Sequence, residues 1–240
     1  MELKLLKILR EEMEMKLKGG LYHLTQVKFA YNSNRIEGSK LSEDQTRYIF
    51  ETNTIDVPKD DAINVDDIIE TVNHFTCFDY MLSHARENLS ENIIKEFHSI
   101  LKSNTSDARK DWFNVGDYKS RPNMVGETKT TAPGKVAAEI KKLISLYNQK
   151  QPASFEDIVE FHHQFESIHP FQDGNGRVGR IIMFKECLAH GVLPFIIDNE
   201  YKMYYYRGLK EFSNEKGYLL DTCRSAQDEY EKLVTYFFPD

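Results

Sequence analysis

Apolar residues return at intervals of three and four through most of this 240-residue chain, and one long stretch breaks that rhythm. The interval lines side chains along one face of a helix, so it restricts the chain to helices packed on helices. Leu6, Leu9, Met13 and Leu17 predict an amphipathic helix over about the first eighteen residues, ended by Gly19-Gly20. A second runs over about 24–36 and is stopped by Gly38. Ser42-Glu43-Asp44 reads as a cap and acidic first turn for a short helix through Phe50, and residues 53–63, with Pro58, as a loop. Residues 65–86 put Ile68, Val72, Phe75, Phe78 and Met81 on one face, and Ser90 caps a helix packed through Ile94, Phe97 and Leu101. The period returns over 134–149 (Val136, Ile140, Leu143, Leu146), over 155–168 behind Ser154, and over 175–190, 199–212 and 216–237.

The break lies at 105–133, which holds the chain's one tryptophan (Trp112), Gly116, Gly126 and Pro122. Loops of that length inside a compact domain are usually functional or disordered. Tyr118 and Val125, flanking Arg121-Pro122-Asn123, suit a short hairpin. The expected fold class is all-α, a mostly helical single domain with a small β-hairpin. A net charge of −7 argues against a general nucleic-acid binder. Cys77, Cys187 and Cys223 are widely spaced and outside any CxxC pattern, which points to reduced thiols and not to a zinc site. Charges interrupt every apolar run near the N-terminus and no later stretch could span a bilayer, so a cytoplasmic protein with no membrane and no nucleic-acid partner is expected.

The chemistry concentrates in His169-Pro170-Phe171-Gln172-Asp173-Gly174-Asn175-Gly176-Arg177-Val178-Gly179-Arg180. Its second half opens a helix, where unpaired backbone N–H groups and the dipole favour an anion. Gly174 and Gly176 would let a phosphate approach the backbone closely. Arg177 and Arg180, three apart, share a face, and their forked donors suit phosphate oxygens. Asp173 could hold Mg²⁺ bridging phosphates, and His169 has the pKa of a base for a hydroxyl near neutrality. Singly, a histidine, a Gly-Asn-Gly turn or an arginine pair is most often structural. Within twelve residues they read together as a phosphate-handling site. His162 and His163 in the preceding helix have no ligand cluster to complete a metal site and read as structural.

This stretch resembles the Fic family signature, HPFx[D/E]GNGRxxR, at every specified position. The resemblance implies a protein adenylyltransferase that moves AMP from ATP to a hydroxyl of a target protein, with the protein itself as one target left open. It implies His169 as base, Asp173 as Mg²⁺ ligand, Gly174, Asn175 and Gly176 as phosphate cradle, and Arg177 and Arg180 on the outer phosphates. Residues 116–128 resemble the family's flap, with Val125, Gly126, Glu127 and Thr128 at the nucleotide and a target docking by strand addition. Tyr205, Tyr206 and Asn214 are the counterparts of adenosine-pocket residues. Ser33-Asn34-Arg35-Ile36-Glu37-Gly38 is similar to the inhibitory motif [S/T]xxxE[G/N] in its N-terminal, class II position, which implies that Glu37, with Ser33, pairs with Arg180 and blocks productive ATP binding. The chain then divides into an N-terminal helix (1–20), an inhibitory helix (21–38) and a Fic core (39–240). Removal of AMP, with Glu37 positioning a water, is the alternative activity. A non-enzymatic interaction role and Doc-type phosphotransfer fit the intact His169 and Gly-Asn-Gly less well. No basic recognition helix follows the last predicted helix, so no direct DNA binding is expected. A homodimer is left open.

Overall fold

The computed structural model describes residues 2–59 and 62–239. Met1 of the first helix and Asp60 and Asp61 of the 53–63 loop lie outside the described residues. Helix α1 spans Glu2–Met15, shorter than expected because Lys16 and Gly19 both take positive φ. Leu17 therefore falls beyond the helix and is exposed. Helix α2, Leu21–Ile36, starts earlier than its apolar pattern suggests. Its N-cap, Gly20, has no side chain to offer, and Glu12 of α1 accepts the Tyr22 N–H instead, at 2.7 Å.

Twelve of the sixteen residues of α2 are buried. Phe29 packs edge-on to Phe78, ring centroids 5.9 Å apart, and stacks on Phe184 at 5.3 Å. The helix is a central layer of the core.

Helix α3 (Glu43–Thr52) opens with a full capping box between Ser42 and Gln45. Helix α4 is Val65–Ser83 and α5, capped by Ser90, is Glu91–Lys102. In α4 the buried stripe includes Thr71 and His74 beside Phe75, Phe78 and Met81. Two of its members are polar and invisible to an apolar pattern, and the stripe is rotated so that Val72 is exposed. Helix α6 (Pro133–Tyr147) likewise buries Ile144 and Tyr147 and turns Leu146 to solvent.

Helix α7 (Phe155–Ile168) starts on a Ser154/Asp157 capping box. Helix α8 (Asn175–His190) has thirteen buried residues and meets α1, α2, α4, α5 and α7, which are arranged around it. A single 3₁₀ turn leads to α9 (Lys202–Glu211), which packs on α10 (Gly217–Phe237).

The one sheet among the described residues is the antiparallel pair β1 (Met124–Val125) and β2 (Thr128–Lys129), with Met124 opposite Lys129 and Val125 opposite Thr128. Its turn is Gly126-Glu127 and not Arg121-Pro122-Asn123. A two-residue turn of this kind needs positive φ at its first central residue. Gly126 supplies it, at +58°, and a proline cannot.

Candidate active site

His169 ends α7 in the left-handed conformation, φ 52° and ψ 63°, and Pro170 follows where the helix cannot continue. The loop is then locked from inside. The Asn175 side chain accepts the Phe171 N–H at 2.8 Å and donates to the Phe171 carbonyl at 2.9 Å. Phe171 is wholly buried and stacks on His98, with centroids 4.0 Å apart and rings parallel within 1°. The family resemblance implies that Asn175 helps cradle the phosphates. Its buried side chain instead shapes the loop, which leaves its backbone for the cradle.

Gly174 caps α8 without a side-chain bond, so the first turn of α8 presents open backbone donors. A carboxylate already stands there. A Cβ built on Gly176 would collide with Glu37 Oε1 and lie 2.9 Å from Arg180 Nη1. Only glycine admits the Glu37 carboxylate this close.

Arg180 is 2% exposed and donates to Glu37 Oε1 at 2.7 Å, to Ser33 Oγ at 3.0 Å and to the Ser33 carbonyl at 2.9 Å. Burial opposes its charge, but the Glu37 carboxylate outweighs that and holds the guanidinium firmly protonated. Arg177 points elsewhere, pairing with Glu70 at 2.5 Å and Asp173 at 3.2 Å. The two arginines leave the same helix but do not share a partner. Their expected common face divides because each meets a different carboxylate.

Asp173 accepts from Lys102 at 2.7 Å as well as from Arg177, both on Oδ2. Lys102, 2% exposed, also holds Glu70 and Asp107. Burial alone would raise the Asp173 carboxyl, yet Arg177 and Lys102 prevail and hold it down at about 2. Among the described residues no cluster of three or more His, Cys, Asp or Glu could cage a metal alone. Asp173 nevertheless fits Mg²⁺. It is ionised, half-exposed, and keeps Oδ1 clear of both cations, and Mg²⁺ commonly takes one carboxylate with phosphate and water oxygens.

Burial, and then the Lys119 charge, lower the His169 imidazole to about 4, so it stands neutral and able to accept a proton at pH 7. Glu166 lies one turn behind, with Oε2 3.9 Å from His169 Nδ1. Burial first and Glu37 second push its carboxyl up to about 8. Tyr205 is buried with its hydroxyl 2.6 Å from His162 Nε2, and its ring lies 5.9 Å from the Arg180 guanidinium. Tyr206 donates to the Ile36 carbonyl at 3.2 Å. The structure thus brings both tyrosines beside Arg180 and Glu37. Asn214 is not brought in: it is exposed in the turn after α9 and bonds Glu211, the last residue of that helix. His163 stacks on Phe212.

The flap meets the loop through Asn123, which donates to the Phe171 carbonyl at 3.1 Å, and through the Arg121 N–H, which reaches Gln172 Oε1 at 3.3 Å. Val125, Gly126, Glu127 and Thr128 are exposed at its tip. Sequence reasoning missed Lys102, Glu70, Asp107, Lys119 and His98, which come from three separate stretches. Glu166 had a visible signal, since three residues before His169 on a helix means the same side.

Residues 88–187 match the model of the Fic/DOC family. The chain is 26% identical over 189 residues to protein adenylyltransferase fic-1 of Caenorhabditis elegans, covering 75% of this chain and 35% of that protein. It is 26% identical over 212 residues to protein adenylyltransferase Fic of Drosophila willistoni, covering 86% and 40%. The chain therefore spans between a third and a half of the length of these relatives. The fold is similar to that of a Fic-domain-containing signaling protein from Bacteroides thetaiotaomicron, with TM-score 0.72, 23% identity, and 98% of this chain and 91% of that one covered. It is similar also to Fic-1 of C. elegans, with TM-score 0.73, 20% identity and 97% and 70% covered. The matched segment contains the whole loop from His169 to Arg180, and the helical scaffold that carries it is similar to that of these Fic proteins.

Proposed function

We propose that the chain is a protein adenylyltransferase, moving AMP from ATP to a hydroxyl side chain of a target protein. The observation that supports this most is one loop offering a neutral histidine, an ionised aspartate and an open helix N-terminus within reach of one phosphate chain. His169 takes the proton of the target hydroxyl, whose oxygen forms the new bond to the α-phosphorus. The bond to the bridging oxygen breaks, and pyrophosphate leaves with the electron pair. The N-terminus of α8 and Arg177 offset phosphate charge. Asp173 would hold Mg²⁺, which when bound neutralises the leaving pyrophosphate. Tyr205 and Tyr206 stand where they could line the adenosine. The exposed edge of the flap offers main-chain pairing to a target segment.

In the conformation described, Glu37 occupies Arg180 and the phosphate seat at Gly176, so the reading includes an enzyme held off by its own α2. The same placement favours a second activity, removal of AMP with Glu37 positioning water. Incubating AMP-modified protein with Mg²⁺ and no ATP separates the two, because only removal proceeds there. The transfer reading is tested by mass spectrometry of lysate treated with ATP and the Glu37→Gly protein against a Glu37→Gly/His169→Ala control. AMP adducts on Ser, Thr or Tyr should appear in the first alone, and equal labelling in both would overturn the assignment of His169.

A further inference from the structure

Lys119 lies between the hairpin and the catalytic loop, 3% exposed, and no carboxylate among the described residues is within ion-pair distance of its ammonium. It has neutral partners instead. Nζ donates to Asn123 Oδ1 at 2.7 Å, to Thr130 Oγ1 at 2.6 Å and to the Ile168 carbonyl at 3.4 Å, and its backbone N–H donates to the Pro170 carbonyl at 2.9 Å. An ammonium has three donors, and all three are used. Asn123 precedes β1 and Thr130 follows β2, so the lysine holds both ends of the hairpin. Ile168 and Pro170 flank His169 on either side. Asn123 extends the chain of bonds to the Phe171 carbonyl.

An apolar side chain would fill this space without the desolvation cost of a buried cation. What the ammonium adds is three bonds and a charge. Burial pushes Lys119 down to about 8, so it remains largely protonated at pH 7. The charges acting on His169 are Lys119 from the flap side, Glu37 at the end of α2 and Asp173 in the loop, while Glu166 on α7 acts through its backbone and carries a carboxyl raised to about 8.

We propose that Lys119 is a positioning residue for the transfer: it fixes the height of the flap over His169, hence where a docked target segment presents its hydroxyl. The proposal rests on the AMP-transfer reading for its catalytic part, while the tether itself is a property of the free protein. Lys119→Met removes bonds and charge, Lys119→Arg keeps both, and Lys119→Gln keeps a donor without the charge.

Hydrogen exchange and histidine NMR on the ATP-free full chain come first. In Lys119→Met the amides of residues 121–130 should exchange about tenfold faster, because the bonds that tie the two ends of the hairpin together are lost. The His169 midpoint should rise by about one pH unit as a neighbouring positive charge is lost. Lys119→Arg should restore both, and Lys119→Gln should leave the midpoint raised. In the Glu37→Gly background, labelling of lysate proteins from α-labelled ATP should fall about tenfold with Lys119→Met at unchanged half-saturating ATP, as expected when a reacting group is misplaced and the nucleotide is not. Unchanged exchange and an unchanged midpoint in Lys119→Met would overturn the tether. Normal labelling despite a loosened flap would overturn its role in positioning. If the Glu37→Gly parent labels nothing, the transfer reading fails, and exchange and titration still decide the tether.

Discussion

Replacing Glu37 by glycine tests the brake quantitatively. Arg180 Nη2 lies 2.7 Å from Glu37 Oε1, with the arginine side chain 2% and the glutamate 30% exposed. Two charges about 4 Å apart attract by about 4 kcal/mol at an effective dielectric constant of about 20. Removing one partner of a buried pair costs about 3–5 kcal/mol. The exposure of Glu37 favours the lower end, and Ser33 keeps two bonds to Arg180, so about 3 kcal/mol is reasonable. At about 1.4 kcal/mol per decade, that amounts to roughly two decades in the population of free Arg180. Initial AMP transfer from α-labelled ATP should therefore rise at least about tenfold and at most about a hundredfold. The ATP-free variant should melt lower by roughly 6–12 °C, at about 2–4 °C per kcal/mol for a chain this size. ATP near 100 Kd adds about 2.7 kcal/mol and should recover most of that loss. Unchanged labelling together with an unchanged melting point would refute the reasoning.

Three further expectations concern stability. His74, His98 and His162 are held at about 3 and His169 at about 4, chiefly by burial. The unfolded chain takes those protons below about pH 6.5, so their contribution is full above that pH and is lost as pH falls. Glu166, raised to about 8, acts oppositely: its contribution is complete below about pH 4.5 and is lost as pH rises through 8. The melting temperature should accordingly peak near pH 6.5, and a monotonic rise from pH 5 to 9 would contradict this. Glu166→Gln should stabilise the protein at pH 8 relative to wild type and give no such gain at pH 4, read by calorimetry at both pH values. Gly208→Ala would put a Cβ 2.7 Å from Leu219 Cα, a backbone atom that cannot turn away. A loss of about 1–3 kcal/mol by urea titration is expected, and none would mean that α9 and α10 slide freely.

The helices and their starts were legible where local chemistry decides them. Ser42, Ser90 and Ser154 each cap as their types predict, and α8 begins and ends at the expected Asn175 and His190. Ends set by tertiary partners were not. Glu12 caps α2 from another helix, and buried Thr71 and His74 rotate α4 away from its apolar stripe. The site shows the same division. The contiguous loop reads directly, whereas Lys102, Glu70 and Asp107 meet only because α4 and α5 cross beside Asp173. Asn175 shows how a residue of the right type can face the wrong way. Its amide finds two partners four residues back, and no linear pattern ranks those above a ligand.

Where α2 sits limits how the proposed brake can release. A helix docked on the surface could swing away with its glutamate. Here Phe29 is 2% exposed between Phe78 and Phe184, and Asn32 accepts the Asn199 N–H at 2.9 Å, so withdrawing α2 would open the core. Glu37 itself is the C-cap residue, followed by Gly38 with φ of +105°, and its side chain is partly exposed. Rotation of that one side chain is far cheaper than loss of the helix. Phe29→Ala discriminates the two routes. It should cost about 3–5 kcal/mol of stability by leaving a cavity among aromatic rings. If release needs α2 to detach, weakening its packing should raise AMP labelling well below the melting transition, toward the level of Glu37→Gly. If release is rotation of Glu37, labelling by the folded Phe29→Ala protein stays at the wild-type level, because the Arg180 pair is intact. Elevated labelling by Phe29→Ala would therefore refute the side-chain route.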